Sequence, residues 1–186
     1  DPSDFARVRE NYEKSIHYVT QRDDLVYFDF TPEEYRLLGV APEVNMQTDY
    51  LVEEYLDGHE VSADALVHEG KVTVIGIEDQ IRMQSPYFLQ IAARLPYACK
   101  PGERRVIRDL VSQTVKALGI RDSATHTEIM FTSKGPKIVE IGCRVGGDDL
   151  HDTLWRVTGV NMMYEVIQIA LGIPRRHRIR TRTHTA

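Results

Sequence analysis

Two glutamates on either side of a short turn constrain this chain more than any other feature. Thr125-His126-Thr127-Glu128-Ile129-Met130-Phe131-Thr132 runs into Ser133-Lys134-Gly135 and on into Pro136-Lys137-Ile138-Val139-Glu140-Ile141-Gly142. Three loop residues with glycine last suit a hairpin closed by a type I turn and a glycine bulge. That register sets Thr132 opposite Pro136, Ile129 opposite Val139 and Glu128 opposite Glu140. Directly opposed residues hold their Cβ atoms about 4.5–5.5 Å apart. Two carboxylates so placed repel unless something positive lies between them, and a divalent cation with oxygen ligands supplies that charge. The register also puts Ile129, Phe131, Val139 and Ile141 on the face expected to be buried, and Glu128, Met130, Ile138, Glu140 and Gly142 on the other. The second face could hold a metal-bound phosphate beside a flat apolar group. The same pattern suits a solvated hairpin with two surface acids, since exposed acids are common.

The rest of the chain has the material for a core around this hairpin. Of its 186 residues, 42% are hydrophobic and 27% charged, which is the composition of a soluble globular protein. The length suits one domain or two small lobes. A formal net charge of -5 implies no general affinity for nucleic acid. The stretch from Arg175 to Ala186 is locally basic, with Arg175, Arg176, Arg178, Arg180 and Arg182. It reads as an edge strand or a disordered end rather than a phosphate site. No apolar run approaches a membrane span. Cys99 and Cys143 lie outside any CxxC pair, which argues against a disulfide framework and fits a reducing, cytoplasmic location. The chain starts at Asp1 without a methionine and reads as part of something longer.

Local patterns predict a helix from Asp4 to about Thr20 and a short one over Pro32–Leu38, capped by Thr31 and stopped at Gly39. Strands are expected over Tyr50–Leu56, Val61–Val67 and Lys71–Ile77, the last two joined around Glu69-Gly70. Glu78 to Lys100 reads as loop-rich. Pro101–Leu118 is the clearest helix, with Val106, Ile107, Leu110, Val111, Thr114, Val115 and Leu118 in one stripe. After the acidic hairpin, Asp149–Val157 and Asn161–Leu171 read as helices. Strands paired in hairpins, with helices between and after them, predict an α+β fold with a largely antiparallel sheet.

Two segments together resemble the ATP-grasp superfamily, and within it the carboxylate–amine ligases. The first is Val52-Glu53-Glu54-Tyr55-Leu56-Asp57-Gly58-His59-Glu60-Val61-Ser62. It looks like the family's hinge, an acid, an aromatic, an aliphatic, a glycine and a second acid. The resemblance implies that Glu53, Glu54, Tyr55 and Leu56 lie along the adenine edge of ATP and that Glu60 takes the ribose hydroxyls. A strand backbone can match adenine's amino donor and ring acceptor, and a carboxylate can accept from two hydroxyls. The second segment runs from Thr127-Glu128-Ile129 through Glu140-Ile141-Gly142-Cys143-Arg144-Val145-Gly146-Gly147-Asp148. It is similar to the family's metal-binding hairpin and the arginine and paired glycines that follow. By that resemblance Glu128 and Glu140 hold magnesium, or manganese in its place, and Arg144 steadies the phosphate or the acyl-phosphate carboxylate. Met130 and Ile138 would floor the base. Gly146 and Gly147 would let backbone come close to substrate. The resemblance covers about residues 50 to 173.

These features imply a ligase that uses ATP and magnesium to join a small carboxylate to an amine. Residues 1–50 would be a remnant of the small ATP-grasp lobe and 51–186 the large lobe. Three departures qualify the pattern. Gly142 stands where the family often has asparagine as a further metal ligand, and Asp148, Asp149 or water would compensate. The small-lobe phosphate lysine has no clear counterpart, with Arg82 the nearest candidate. The glycine-rich flap is not found between Asp1 and Asp49, so the missing N-terminal part of the same protein is expected to carry it, and this chain alone is expected to bind ATP weakly. The alternatives are a non-catalytic nucleotide-binding module and a biotin-carboxylase-like ATP-grasp enzyme. Asp148, Asp149, His151 and Asp152 read as a charge cluster at a helix N-terminus. There is no GxxxxGK[ST] loop, no GxGxxG after a strand and no HExxH.

Overall fold

Alternation of apolar and polar residues along the strands decides how this molecule is layered. The computed structural model describes residues 54–83 and 89–173. Within them, β1 (His59–His68), β2 (Lys71–Arg82), β3 (Gln90–Arg94), β4 (Ser123–Thr132) and β5 (Gly135–Gly142) form one antiparallel sheet in the order β3-β2-β1-β4-β5. Three helices accompany it, α1 (Glu103–Ala117), α2 (Leu150–Thr158) and α3 (Met162–Ala170). The α+β class with an antiparallel sheet and flanking helices is as the sequence implies.

Central strand β1 has two unlike faces. Its odd residues Val61, Ala63, Ala65 and Val67 are fully buried with Ile77, Ile129 and the Ile107, Val111 and Val115 stripe of α1. The i, i+4, i+8 spacing of that stripe is what docks α1 on the sheet. On the opposite face, Leu66, Ile75 and Ala124 pack with Leu154, Val160, Met162 and Ile169. α2 lies against β2, and α3 against β1 and β4. Gly76 makes the first of these contacts possible, because a Cβ there would stand 2.2 Å from Leu154 Cδ2. This second cluster covers only one end of its face. Toward the other end β1 turns up Glu60, Ser62 and Asp64 instead.

Several expectations need correction. α1 runs two residues shorter at its start than the Pro101–Leu118 helix expected, and Val106 and Leu118 of its predicted stripe are 41% and 60% exposed. The loop-rich reading of Glu78–Lys100 is corrected over two stretches, since β2 continues to Arg82 and β3 pairs with it, while residues 95–100 are loop. Backbone pairing carries the ladder past Asp79, Gln80 and Arg82, whose polarity hides the strand, and Asp79 is pinned there by Arg94 and His59. Residues 54–56 carry no strand, while β1 starts two residues before Val61. The turn at Glu69-Gly70 forms with both residues at positive φ, 51° and 77°.

The acidic hairpin reaches its predicted pairing by another route. Its ladder closes at Thr132 opposite Gly135, leaving a two-residue turn of Ser133 and Lys134. Thr132 Oγ1 donates to Gly135 O at 2.7 Å and accepts from Lys134 N at 3.1 Å. Phe131 then faces Pro136 and Ile129 faces Ile138, one step off the expected register. A bulge at Val139, 42% exposed, restores the step, so Glu128 does face Glu140. The expected helices at Asp4–Thr20 and Pro32–Leu38, the basic tail and the lobe assigned to residues 1–50 lie outside the described residues.

Candidate functional site

The end of the sheet beyond α2 and α3 is a polar platform built in rows by strand register, most of it buried. Glu78, Ser62, Glu128 and Glu140 stand side by side across β2, β1, β4 and β5. Gly76, Asp64, His126 and Gly142 form the row on one side, and Glu60, Met130 and Lys137 the row on the other. Glu128 is half-buried and Glu140 is exposed. Two opposed carboxylates fit a magnesium ion, which takes one or two protein carboxylates and completes its octahedron with water and substrate phosphate. They do not make an all-protein cage, and among the described residues no group of three or more histidine, cysteine or acidic side chains could hold a metal.

Beside this pair, on β1, β2 and β4, lies a buried hydrogen-bond network. Gln80 Nε2 donates to Ser62 Oγ at 2.6 Å, and Ser62 Oγ donates to Glu78 Oε2 at 2.8 Å. Asp64 Oδ1 accepts from the Gly146 backbone N–H at 3.1 Å and lies 3.2 Å from His126 Nδ1. Asp64 Oδ2 and Glu78 Oε1 are both buried and have no hydrogen-bond partner among the described residues. Burial first, and the Asp64 charge second, hold the Glu78 carboxyl well above the usual carboxylate range. A protonated Glu78 that donates to Asp64 satisfies both orphan oxygens. At His126 burial opposes the charged form, but Asp64 and Glu128 outweigh it and raise the pKa against the repulsion of Arg144. Burial raises Glu60 as well, with Arg82 opposing and Glu128 adding to the rise.

All the expected site residues but Glu53 fall among the described residues. Arg144 is half exposed, with Nη2 3.9 Å from Glu140 Oε1 and Nη1 donating to Val145 O at 3.1 Å. It can lie back over β5 because Gly142 has no side chain; a Cβ there would be 3.2 Å from Arg144 Cγ. Glu60 is buried on the platform and paired with Arg82. The residue considered for phosphate therefore engages the residue considered for ribose. Glu54 pairs with Lys134 in the β4–β5 turn, and Tyr55 is exposed while Leu56 is half-buried. Gly58 draws this segment onto the hairpin, since a Cβ there would stand 2.1 Å from Phe131 O. Glu53 lies outside the described residues. Met130 shares the acid face and is 6% exposed. Ile138 does not share it. The Val139 bulge turns Ile138 to the α1 side, where it packs against the core, so its assignment to the base floor is corrected. Asp148 and Asp149 are exposed with φ of 49° and 57°, and Asp149 caps α2 without a side-chain hydrogen bond. Of that cluster, Asp152 sits in the first turn and pairs with Arg156 at 2.6 Å.

Between β3 and the start of α2 lies a cavity of about 320 Å³, bordered by Gln90, Ala93, Leu95, Asp148, Leu150 and Thr153. It adjoins the loop that follows Arg144 and Gly146.

Residues 13–152 match the family model of the ATP-grasp domain. The chain belongs to the ATP-grasp family. Carnosine synthase 1 of Gallus gallus is 31% identical over 126 residues, which are 67% of this chain and 13% of that protein. The crystal structure of an L-amino acid ligase from Bacillus licheniformis superposes with a TM-score of 0.59 at 32% identity, over 63% of this chain and 30% of the ligase. A phosphoribosylglycinamide synthetase from Anaerococcus prevotii shares the fold at TM-score 0.59 and 21% identity, over 82% of this chain and 39% of that one. The chain thus spans well under half the length of each of these relatives.

Hairpin register led to the acids Glu128 and Glu140, and the ATP-grasp resemblance to the hinge and Arg144, but neither led to Ser62, Asp64, Glu78, Gln80 or His126. Glu60-Val61-Ser62-Ala63-Asp64-Ala65 alternates perfectly, and such a pattern ordinarily marks a strand with one solvated face. Only the strand order, which sets β1 between β2 and β4, reveals that its polar face meets the hairpin acids.

Proposed function

We propose that this ATP-grasp domain binds magnesium–ATP on its acid platform, in a protein that joins a small carboxylate to an amine through an acyl phosphate. The facing of Glu128 and Glu140 beside Arg144 carries this reading. The metal, held by Glu128 and Glu140, supplies neutralisation of the polyphosphate and orientation of the γ-phosphate. Manganese suits the same oxygens. Arg144 stabilises the charge that develops as the phosphoryl group moves, and has the freedom to do so from an exposed position. Backbone groups of Glu53 to Leu56 take the adenine edge, Glu60 the ribose hydroxyls, and Met130 the underside of the base. The cavity between β3 and α2 takes the carboxylate and amine. Similarity to the L-amino acid ligase of Bacillus licheniformis directs the first choice to amino acids.

Calorimetry with ATP in the presence of magnesium tests the platform. Glu140→Gln should weaken nucleotide binding about tenfold, on the order of 1.4 kcal/mol. Equal affinity in the mutant removes the pair from the metal site. Phosphate release with a panel of amino acids and small carboxylates, with products identified by mass, tests the ligase reaction.

A further inference from the structure

Among the buried groups that this reading leaves unused, Asp64 stands out by what it joins. It is fully buried at the middle of the central strand. One oxygen takes the Gly146 N–H at 3.1 Å and faces His126 Nδ1 at 3.2 Å, and the other is buried with no hydrogen-bond partner among the described residues. Gly146 belongs to the loop between β5 and α2, two residues after Arg144. The fit is close from the loop side too. A Cβ on Gly146 would lie 3.0 Å from His126 Nδ1, 3.1 Å from Asp64 Oδ1 and 3.1 Å from Leu150 Cδ1. The intervening Val145 packs against the α2–α3 core. Two residues beyond Arg144, then, the backbone is fastened to the floor of the platform by a single buried carboxylate, while Arg144 itself has one backbone hydrogen bond and a long ion pair.

We propose that Asp64 is a positioning residue, which holds the Gly146 backbone so that Arg144 is aimed across the hairpin acids. This rests on the proposed phosphate role of Arg144, and acts through it rather than by touching substrate. The hydrogen bond from Gly146 is charge-assisted and shielded from water, which makes it stronger than a neutral one and costly to lose. A loop fixed at one point close to the reacting group saves that group the search for its orientation.

Two measurements on the 186-residue chain decide it. Amide exchange at Gly146, followed by NMR, should accelerate about tenfold or more in Asp64→Leu, a loss on the scale of one buried hydrogen bond. In Asp64→Asn, which keeps an oxygen acceptor, exchange should stay within about twofold of wild type. The second is a double-mutant cycle with Arg144→Ala, reading the affinity ratio of magnesium adenylyl imidodiphosphate to magnesium ADP. Asp64→Leu should lower that ratio about three- to tenfold when Arg144 is present and leave it unchanged when Arg144 is alanine. If Asp64→Leu does not fold, Gly146→Ala takes its place in the cycle, with the same Arg144-dependent loss expected. Unchanged Gly146 exchange, or an equal loss in both Arg144 backgrounds, overturns the proposal. A wild-type chain that binds neither nucleotide overturns the ATP-site reading instead, and the exchange rates alone then uphold or overturn the anchoring.

Discussion

Glu78 shows at the scale of one residue how a strand position fixes chemistry. Its side chain is fully buried beside Asp64, and its folded pKa lies well above the ordinary 4.5, from burial first and the Asp64 charge second. Between 4.5 and that higher value the folded chain binds more protons than the unfolded one. Stability from this group is therefore complete below the unfolded pKa and is lost as pH rises through the folded one. Glu78→Gln keeps a donor for Asp64 and an acceptor for Ser62 but cannot ionise. Its thermal midpoint should exceed that of wild type by a few degrees in alkaline buffer, with the gap closing toward pH 5. A constant gap across that range would mean that Glu78 does not carry the proton. The sequence exposed the Glu128–Glu140 pair because both lie in one hairpin, where pairing depends on local chain length. Ile138 was misplaced because nothing in Ile138-Val139-Glu140 announces a bulge. Asp64 and Glu78 were missed because their meeting depends on strand neighbours, which local pattern does not encode.

Among the elements, the seat of α2 on β2 depends on a missing side chain. Leu154 is fully buried and passes over Gly76. Gly76→Ala would force a methyl to within 2.2 Å of Leu154 Cδ2. Overpacking of this kind costs about 1–3 kcal/mol, and chemical denaturation should show a loss in that range. Because α2 also carries Leu150 against Gly146, the same substitution should loosen the loop from Arg144 to Asp149. A neutral Gly76→Ala would show that α2 can shift without cost. Helices α2 and α3 were legible as Asp149–Val157 and Asn161–Leu171, the second with Gly172 and Pro174 after it. β3 was not, since all five of its residues are exposed, and an exposed edge strand lacks the alternation that burial imposes.

At the scale of the whole molecule, and among the described residues, one sheet face is closed by α1, and the other is covered by α2 and α3 at one end and is polar toward the other. A ligand that binds the polar end of the folded sheet and not the unfolded chain stabilises by mass action. At a concentration of one hundred times its Kd, magnesium–ATP should add about 2.7 kcal/mol, read as a rise in thermal midpoint that Glu140→Gln diminishes. No rise at saturating ligand would mean that the platform does not bind nucleotide. Class and antiparallel pairing could be read from hairpins separated by helices, yet the order β3-β2-β1-β4-β5 could not, because β1 and β4 pair across more than fifty intervening residues.

The two-sidedness of β1 has a consequence for how such a site is kept intact. Side chains along a strand alternate, so slipping β1 by one residue would exchange its faces. Val61, Ala63 and Ala65 would turn to the platform, and Glu60, Ser62 and Asp64 would be driven into the α1 core. Burying unpaired carboxylates there would undo the fold. Misregistered chains therefore fail as folded proteins before they can fail as binding sites, and folding itself proofreads the alignment of the acids.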